Sequence, residues 1–99
     1  MAQPDLAFLR QHTLVVYSFQ GCPDCQRLKR WLSAQAIAHE EIDIHAHPAA
    51  AQKLEDETGK QAVPFLLVDG RTWVRGYHKE LPGRFDPRLL LEELRLAVA

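Results

Sequence analysis

Two cysteines three residues apart, in the stretch SFQGCPDCQRL at 18–28, fix where one strand must end and a helix must begin. The run TLVVYS (13–18) ahead of them is β-branched and aromatic, is bounded by polar residues, and reads as a short buried strand. Pro23 follows Cys22, and Cys25, Leu28, Trp31 and Leu32 then recur at helical spacing, so a helix starts at or beside Cys22 and runs to about Ala34. Cys22 then sits at a helix N-terminus, where free backbone N–H groups and the partial positive charge of the helix end favour a thiolate. Cys25, almost one turn further, falls beneath it on the inward side and within disulfide reach. Cys22 is the candidate nucleophile and Cys25 the candidate resolving thiol.

The rest of the chain supplies a frame for that turn. HEEIDI (39–44) reads as a second strand, and PAAAQKLEDETG (48–59) as a helix opened by Pro48 and closed by Gly59. PFLLVDGRTWVR (64–75) reads as an antiparallel hairpin turning at Asp69-Gly70, a dipeptide that accepts positive φ angles. Asp86 is a candidate N-cap, with Pro87 at the first helical position and Leu90, Leu91, Leu94 and Val98 on one face of a last helix. The order is βαβαββα, an α/β fold with a four-stranded mixed sheet and helices on both faces. Right-handed crossovers predict that the first three strands form a parallel set, with the hairpin adding an antiparallel edge strand. Leu6 and Leu9 suggest a helical turn before the first strand. Trp31 shares the buried face of the first helix with Leu28, whereas Trp73 suits either the core or a docking surface.

A length of 99 residues suits one domain, with 1–12 as an N-terminal extension and 13–96 as the core. With 25% charged residues and a formal charge of −1, no basic surplus points to nucleic acid. Pro4 and Asp5 interrupt what would be a signal-peptide core, and no apolar stretch is long enough to span a membrane, so a monomeric cytoplasmic protein is expected. Thiols are kept reduced there, which makes a structural disulfide the weakest reading of the cysteine pair.

The element order, the CPDC sequence opening the first helix, AVP at 62–64 and the Gly-aromatic pair Gly76-Tyr77 together resemble the glutaredoxins of the thioredoxin superfamily, over about residues 13–96. Within them, VDGRTWVRGYHKE (68–80) is most similar to the NrdH-type redoxins. The resemblance implies a dithiol–disulfide oxidoreductase with no tightly bound cofactor. It implies that Pro64 is a cis proline facing Cys22 and Cys25, that the Val63 backbone pairs with an incoming peptide or thiol, and that Gly76 and Tyr77 line the same groove. It suggests a disulfide-containing protein client, with ribonucleotide reductase as the example, and thioredoxin reductase as the electron source. Where glutathione-using glutaredoxins carry a lysine and later acidic residues, this chain has Phe19 and His78-Lys79. Gln61 is compatible with a glutathione carboxylate, so glutathione stays open as co-substrate and alternative reductant.

Other readings compete at each residue. The cysteines could form half of a zinc site with His45 and His47, or hold an iron–sulfur cluster shared with a second protomer through glutathione. Without the cysteines, Pro64 reads simply as a strand start. Phe19 suits a partner contact or packing under the active-site turn. His12, His39 and His78 read as solvated surface positions. Asp24, beside Pro23 inside the motif, is expected to set its carboxylate charge against the Cys22 thiolate and make the protein more reducing.

Overall fold

The computed structural model describes residues 6–99, so the reading of Pro4 and Asp5 lies outside the described residues. A 3-10 helix at Ala7–Gln11 buries Leu9, in line with the helical turn read there. The elements that follow are β1 (Leu14–Ser18), α1 (Pro23–Ala34), β2 (Glu40–Asp43), α2 (Pro48–Thr58), β3 (Phe65–Val68), β4 (Thr72–Arg75) and α3 (Pro87–Val98). Each of the three α-helices opens on a proline, whose missing N–H would have had no helical partner in the first turn. Asp86 caps α3 by accepting the N–H of Arg88 at 2.9 Å. Gly59 ends α2 at φ 93°, a left-handed conformation that a side chain would resist.

The sheet order is β2-β1-β3-β4. β1 runs parallel to β2, with Tyr17 opposite Ile42. It runs antiparallel to β3, with Tyr17 opposite Phe65 and Leu14 opposite Val68. The expected parallel set therefore fails at β3, and the sheet is mixed through a different strand from the one foreseen. The handedness rule governs a crossover between parallel strands but does not oblige the strands to be parallel. Here α2 and the loop after it return the chain to the edge that β2 leaves, so β3 starts beside the end of β1. The hairpin between β3 and β4 is as read, with Asp69 at φ 54° and Gly70 at φ 68°. The Asp69 carboxylate also accepts the Thr13 N–H at 2.9 Å and contacts His12 Nδ1 at 2.6 Å, tying the hairpin to the chain just before β1.

Strand alternation divides the core between two faces. Val16, Leu66 and Val74 pack with Leu28 and Leu32 of α1 and Leu90 of α3. Tyr17 and Leu67 face the other way, onto Ala51 and Leu54 of α2. Trp31 is half-buried against the first of these clusters, its ring edge-on to Phe85 at 6.0 Å. No helix among the described residues is long and apolar enough to cross a membrane.

The surface reading of His78 is overturned: its side chain is fully buried. Nδ1 accepts the backbone N–H of Asp86 at 3.0 Å, which leaves the ring hydrogen on Nε2, 2.8 Å from Glu93 Oε1. Phe85 stacks on the ring at 5.9 Å. His12 and His39 are half-buried, the latter with Nδ1 2.9 Å from the Ile37 carbonyl oxygen. Replacing His78 with leucine removes an acceptor from the Asp86 N–H and a donor from Glu93 without leaving a large void. We expect His78→Leu to cost about 1–3 kcal/mol in urea unfolding; equal stability would mean that the ring serves packing alone.

Candidate active site

β1 stops at Ser18, and Gly21, at φ 81°, turns the chain into α1 with Cys22 as its N-cap. The Cys22 sulfur accepts the N–H of Cys25 at 3.2 Å, so the side chain satisfies one of the helix's orphan donors. Cys22 is 7% exposed and Cys25 not at all, and both are free thiols. Burial pushes the Cys25 thiol up to about 12, reinforced by its hydrogen bond to Cys22 and opposed by the backbone N–H of Phe19, which points at its sulfur. The two cysteines thus differ in place, Cys22 at the helix end with a small part of its surface open and Cys25 wholly enclosed, although only three residues separate them.

The charge expected from Asp24 is offset. Its carboxylate holds Arg27 Nη1 at 2.6 Å and a guanidinium from the far end of the chain, Arg84, with Nε and Nη2 at 3.1 and 2.7 Å. Hydrogen bonding from Arg84 leads the causes that hold the Asp24 carboxyl below its usual range, with Arg27 acting the same way against the effect of burial. Neither arginine was singled out by sequence reasoning, and no local pattern marks Arg84.

The residues read as a groove are mostly brought together. The Val63–Pro64 peptide bond is cis, and Pro64 is buried. The N–H of Gly76 donates to the Pro64 carbonyl at 2.9 Å, and the Tyr77 ring meets Phe65 edge-on at 6.1 Å. Val63 packs against the α2-side core. Phe19 is half-buried there and stacks on His45, with ring centroids 4.6 Å apart. Gln61 is exposed in the preceding loop and takes no part in these contacts. Trp73 is half-buried, edge-on to Tyr17 at 4.8 Å, and donates its indole N–H to Glu57 at 2.8 Å. His45 and His47 are exposed, and among the described residues no three His, Cys, Asp or Glu side chains are placed to share a metal ion.

Comparison with known proteins agrees with this geometry. The glutaredoxin family model matches residues 14–73. The glutaredoxin-like protein NrdH of Lactococcus lactis is 38% identical over 56 residues, covering 57% of this chain and 76% of its own. A glutaredoxin of Neisseria meningitidis is 33% identical over 66 residues, covering 66% and 76%. The crystal structure of a glutaredoxin from Archaeoglobus fulgidus superposes with a TM-score of 0.63 at 23% identity, over 96% of this chain and 99% of that one, a likeness of fold.

Gly76 offers a direct check on the packing between Pro64 and α1. A Cβ there would stand 2.6 Å from Leu28 Cδ2, 3.1 Å from Pro64 Cγ and 3.2 Å from the Pro64 carbonyl oxygen. Leu28 is fully buried and cannot swing out to solvent. Gly76→Ala should therefore lower the unfolding free energy by about 1–3 kcal/mol through overpacking, and a neutral result in denaturant titration would contradict the close approach.

Proposed function

Because this chain belongs to the glutaredoxin family, whose members are thiol–disulfide oxidoreductases, we propose that it reduces protein disulfides through Cys22 and Cys25. The observation that carries the reading is the asymmetry of the pair: Cys22 lies at the helix N-terminus with a backbone N–H on its sulfur, and Cys25 lies fully buried one turn behind. Cys22 thiolate attacks one sulfur of the substrate disulfide, forming a mixed disulfide and releasing the other sulfur as a thiolate that takes a proton from solvent. Cys25 then loses its proton and attacks the Cys22 sulfur. The second substrate thiolate leaves, and the 22–25 disulfide holds the two-electron oxidation. Pro64, Gly76 and Tyr77 would form the wall against which the incoming peptide lies, with the Val63 backbone as its pairing partner.

For the return of electrons we favour thioredoxin reductase over glutathione, as in the NrdH-type reading. Phe19 occupies a position where glutathione-using relatives resemble one another in carrying lysine, and it is stacked on His45. His78, at a position where they carry an acidic residue, is buried and engaged on both ring nitrogens. The client would be a disulfide-containing protein such as ribonucleotide reductase, in a compartment that keeps thiols reduced. Exposed Gln61 is what supports the second reading, with glutathione as co-substrate.

Two experiments address these assignments. In Cys25→Ser, attack should persist while resolution is lost, so a mixed disulfide with substrate accumulates and is released by added dithiothreitol, whereas Cys22→Ser forms none. Trapping by the Cys22 variant in place of the Cys25 variant would reverse the roles. Separately, oxidised protein is given NADPH with either thioredoxin reductase or glutathione plus glutathione reductase. Faster NADPH loss is expected with the first system, and turnover with glutathione alone would replace the NrdH-type reading with the glutaredoxin one.

A further inference from the structure

Asp24 is in the first turn of α1, where the positive end of the helix already favours a carboxylate. A solvated helix-start acid would need no other partner, yet Asp24 is gripped by a guanidinium from 60 residues away, which takes both carboxylate oxygens in a fork. The loop that carries Arg84 is shaped to deliver it. Arg84 adopts φ 58°, a left-handed conformation unusual for a residue with a side chain, although Gly83 stands next to it. Its N–H donates to the Leu81 carbonyl at 3.0 Å and its own carbonyl accepts the His78 N–H at 2.7 Å. His78 is in turn fixed to Glu93 of α3. The outcome at the motif is two guanidinium groups against one carboxylate, an excess of one positive charge two residues from Cys22.

We infer that Arg84 is the counter-ion of the Cys22 thiolate and that Asp24 is the positioning residue that holds it there, so the carboxylate inside the motif favours the reactive form of the site. The inference rests on the assignment of Cys22 as the attacking thiol. It reverses what the charge of Asp24 alone would do, because an isolated carboxylate would repel the thiolate. Arg27 is not equivalent to Arg84, since it contacts a single carboxylate oxygen from one turn further along α1, whereas Arg84 takes both.

The test follows the ultraviolet absorbance of the thiolate against pH in reduced protein, with the rate of alkylation by iodoacetamide as a second readout and Cys22→Ser to identify the signal. Arg84→Gln should move the midpoint of the profile to higher pH by about half to one unit. Asp24→Ala should move it the same way by less, and Arg84→Gln added to Asp24→Ala should do less than Arg84→Gln alone, because the two act as a unit. Arg84→Lys should restore part of the shift, and the potential of Arg84→Gln should be more negative, since its reduced form loses a stabilising charge. A midpoint that falls in Asp24→Ala, or that stays in place in Arg84→Gln while only the unfolding midpoint changes, overturns the inference and leaves the assignment of Cys22 standing. A thiolate signal that survives Cys22→Ser overturns that assignment, and the inference with it.

Discussion

The antiparallel ladder that sets Tyr17 opposite Phe65 decides where every other part of the site can be. β1 ends at Ser18 and passes the chain to Cys22, while β3 begins at Phe65, directly after Pro64. Because the two strands run in opposite directions, the end of one and the start of the other share an edge of the sheet. Had β3 been parallel to β1, Pro64 would have lain at the opposite edge, roughly 13 Å away for four residues at about 3.3 Å each. The hairpin repeats the reversal. β4 pairs Arg75 with Phe65, so Gly76 also emerges at this edge, where its N–H closes on the Pro64 carbonyl. Three loops, each set by strand direction, therefore lie along the edge of the sheet from which the chain enters α1.

The last of these loops, between β4 and α3, is held by a buried imidazole. His78 takes the N–H of Asp86 on one ring nitrogen and faces Glu93 with the other, and its backbone holds Arg84 and Leu81. Glu93 also accepts from Arg75 Nε at 3.0 Å, and Arg75 clasps Glu80 with both terminal nitrogens. The segment between β4 and α3 is thereby fixed at its middle to the helix that ends it. A polar group so deeply buried is tolerated because each of its ring nitrogens is partnered. Asp86 serves twice, giving its N–H to His78 while its side chain caps α3.

The parts of this architecture that were legible in the sequence are those with local causes. Prolines at 23, 48 and 87 mark helix starts, Gly59 marks a helix end and Asp69-Gly70 marks a turn, since each residue acts through its own φ or its own missing or added donor. The strand–CPDC–helix unit was legible for the same reason. The direction of β3, the burial of His78 and the pairing of Asp24 with Arg84 were not, because each depends on contacts between distant segments. One clue was present. Pro64 can face the cysteines only if β3 starts at the edge where β1 ends, so a groove containing Pro64 and a parallel β3 were incompatible readings. Asp24 shows how a formal charge misleads in isolation: its sign was plain, but its neutralising partner lay 60 residues away.

The two thiols also set the order of events in the proposed cycle. Burial holds Cys25 protonated well above neutral pH, so it cannot compete with Cys22 for the first attack on a substrate. Part of that elevation comes from the hydrogen bond to Cys22 and from the mutual repulsion of two sulfur charges. Both causes vanish once Cys22 is tied up in a mixed disulfide, since its sulfur then carries no charge and is a poor acceptor. The backbone N–H of Phe19, directed at the Cys25 sulfur, remains and favours the thiolate. The resolving thiol is thus released by the same bond formation that creates its target. Attack by the wrong cysteine is suppressed by burial, and premature resolution has no disulfide to act upon.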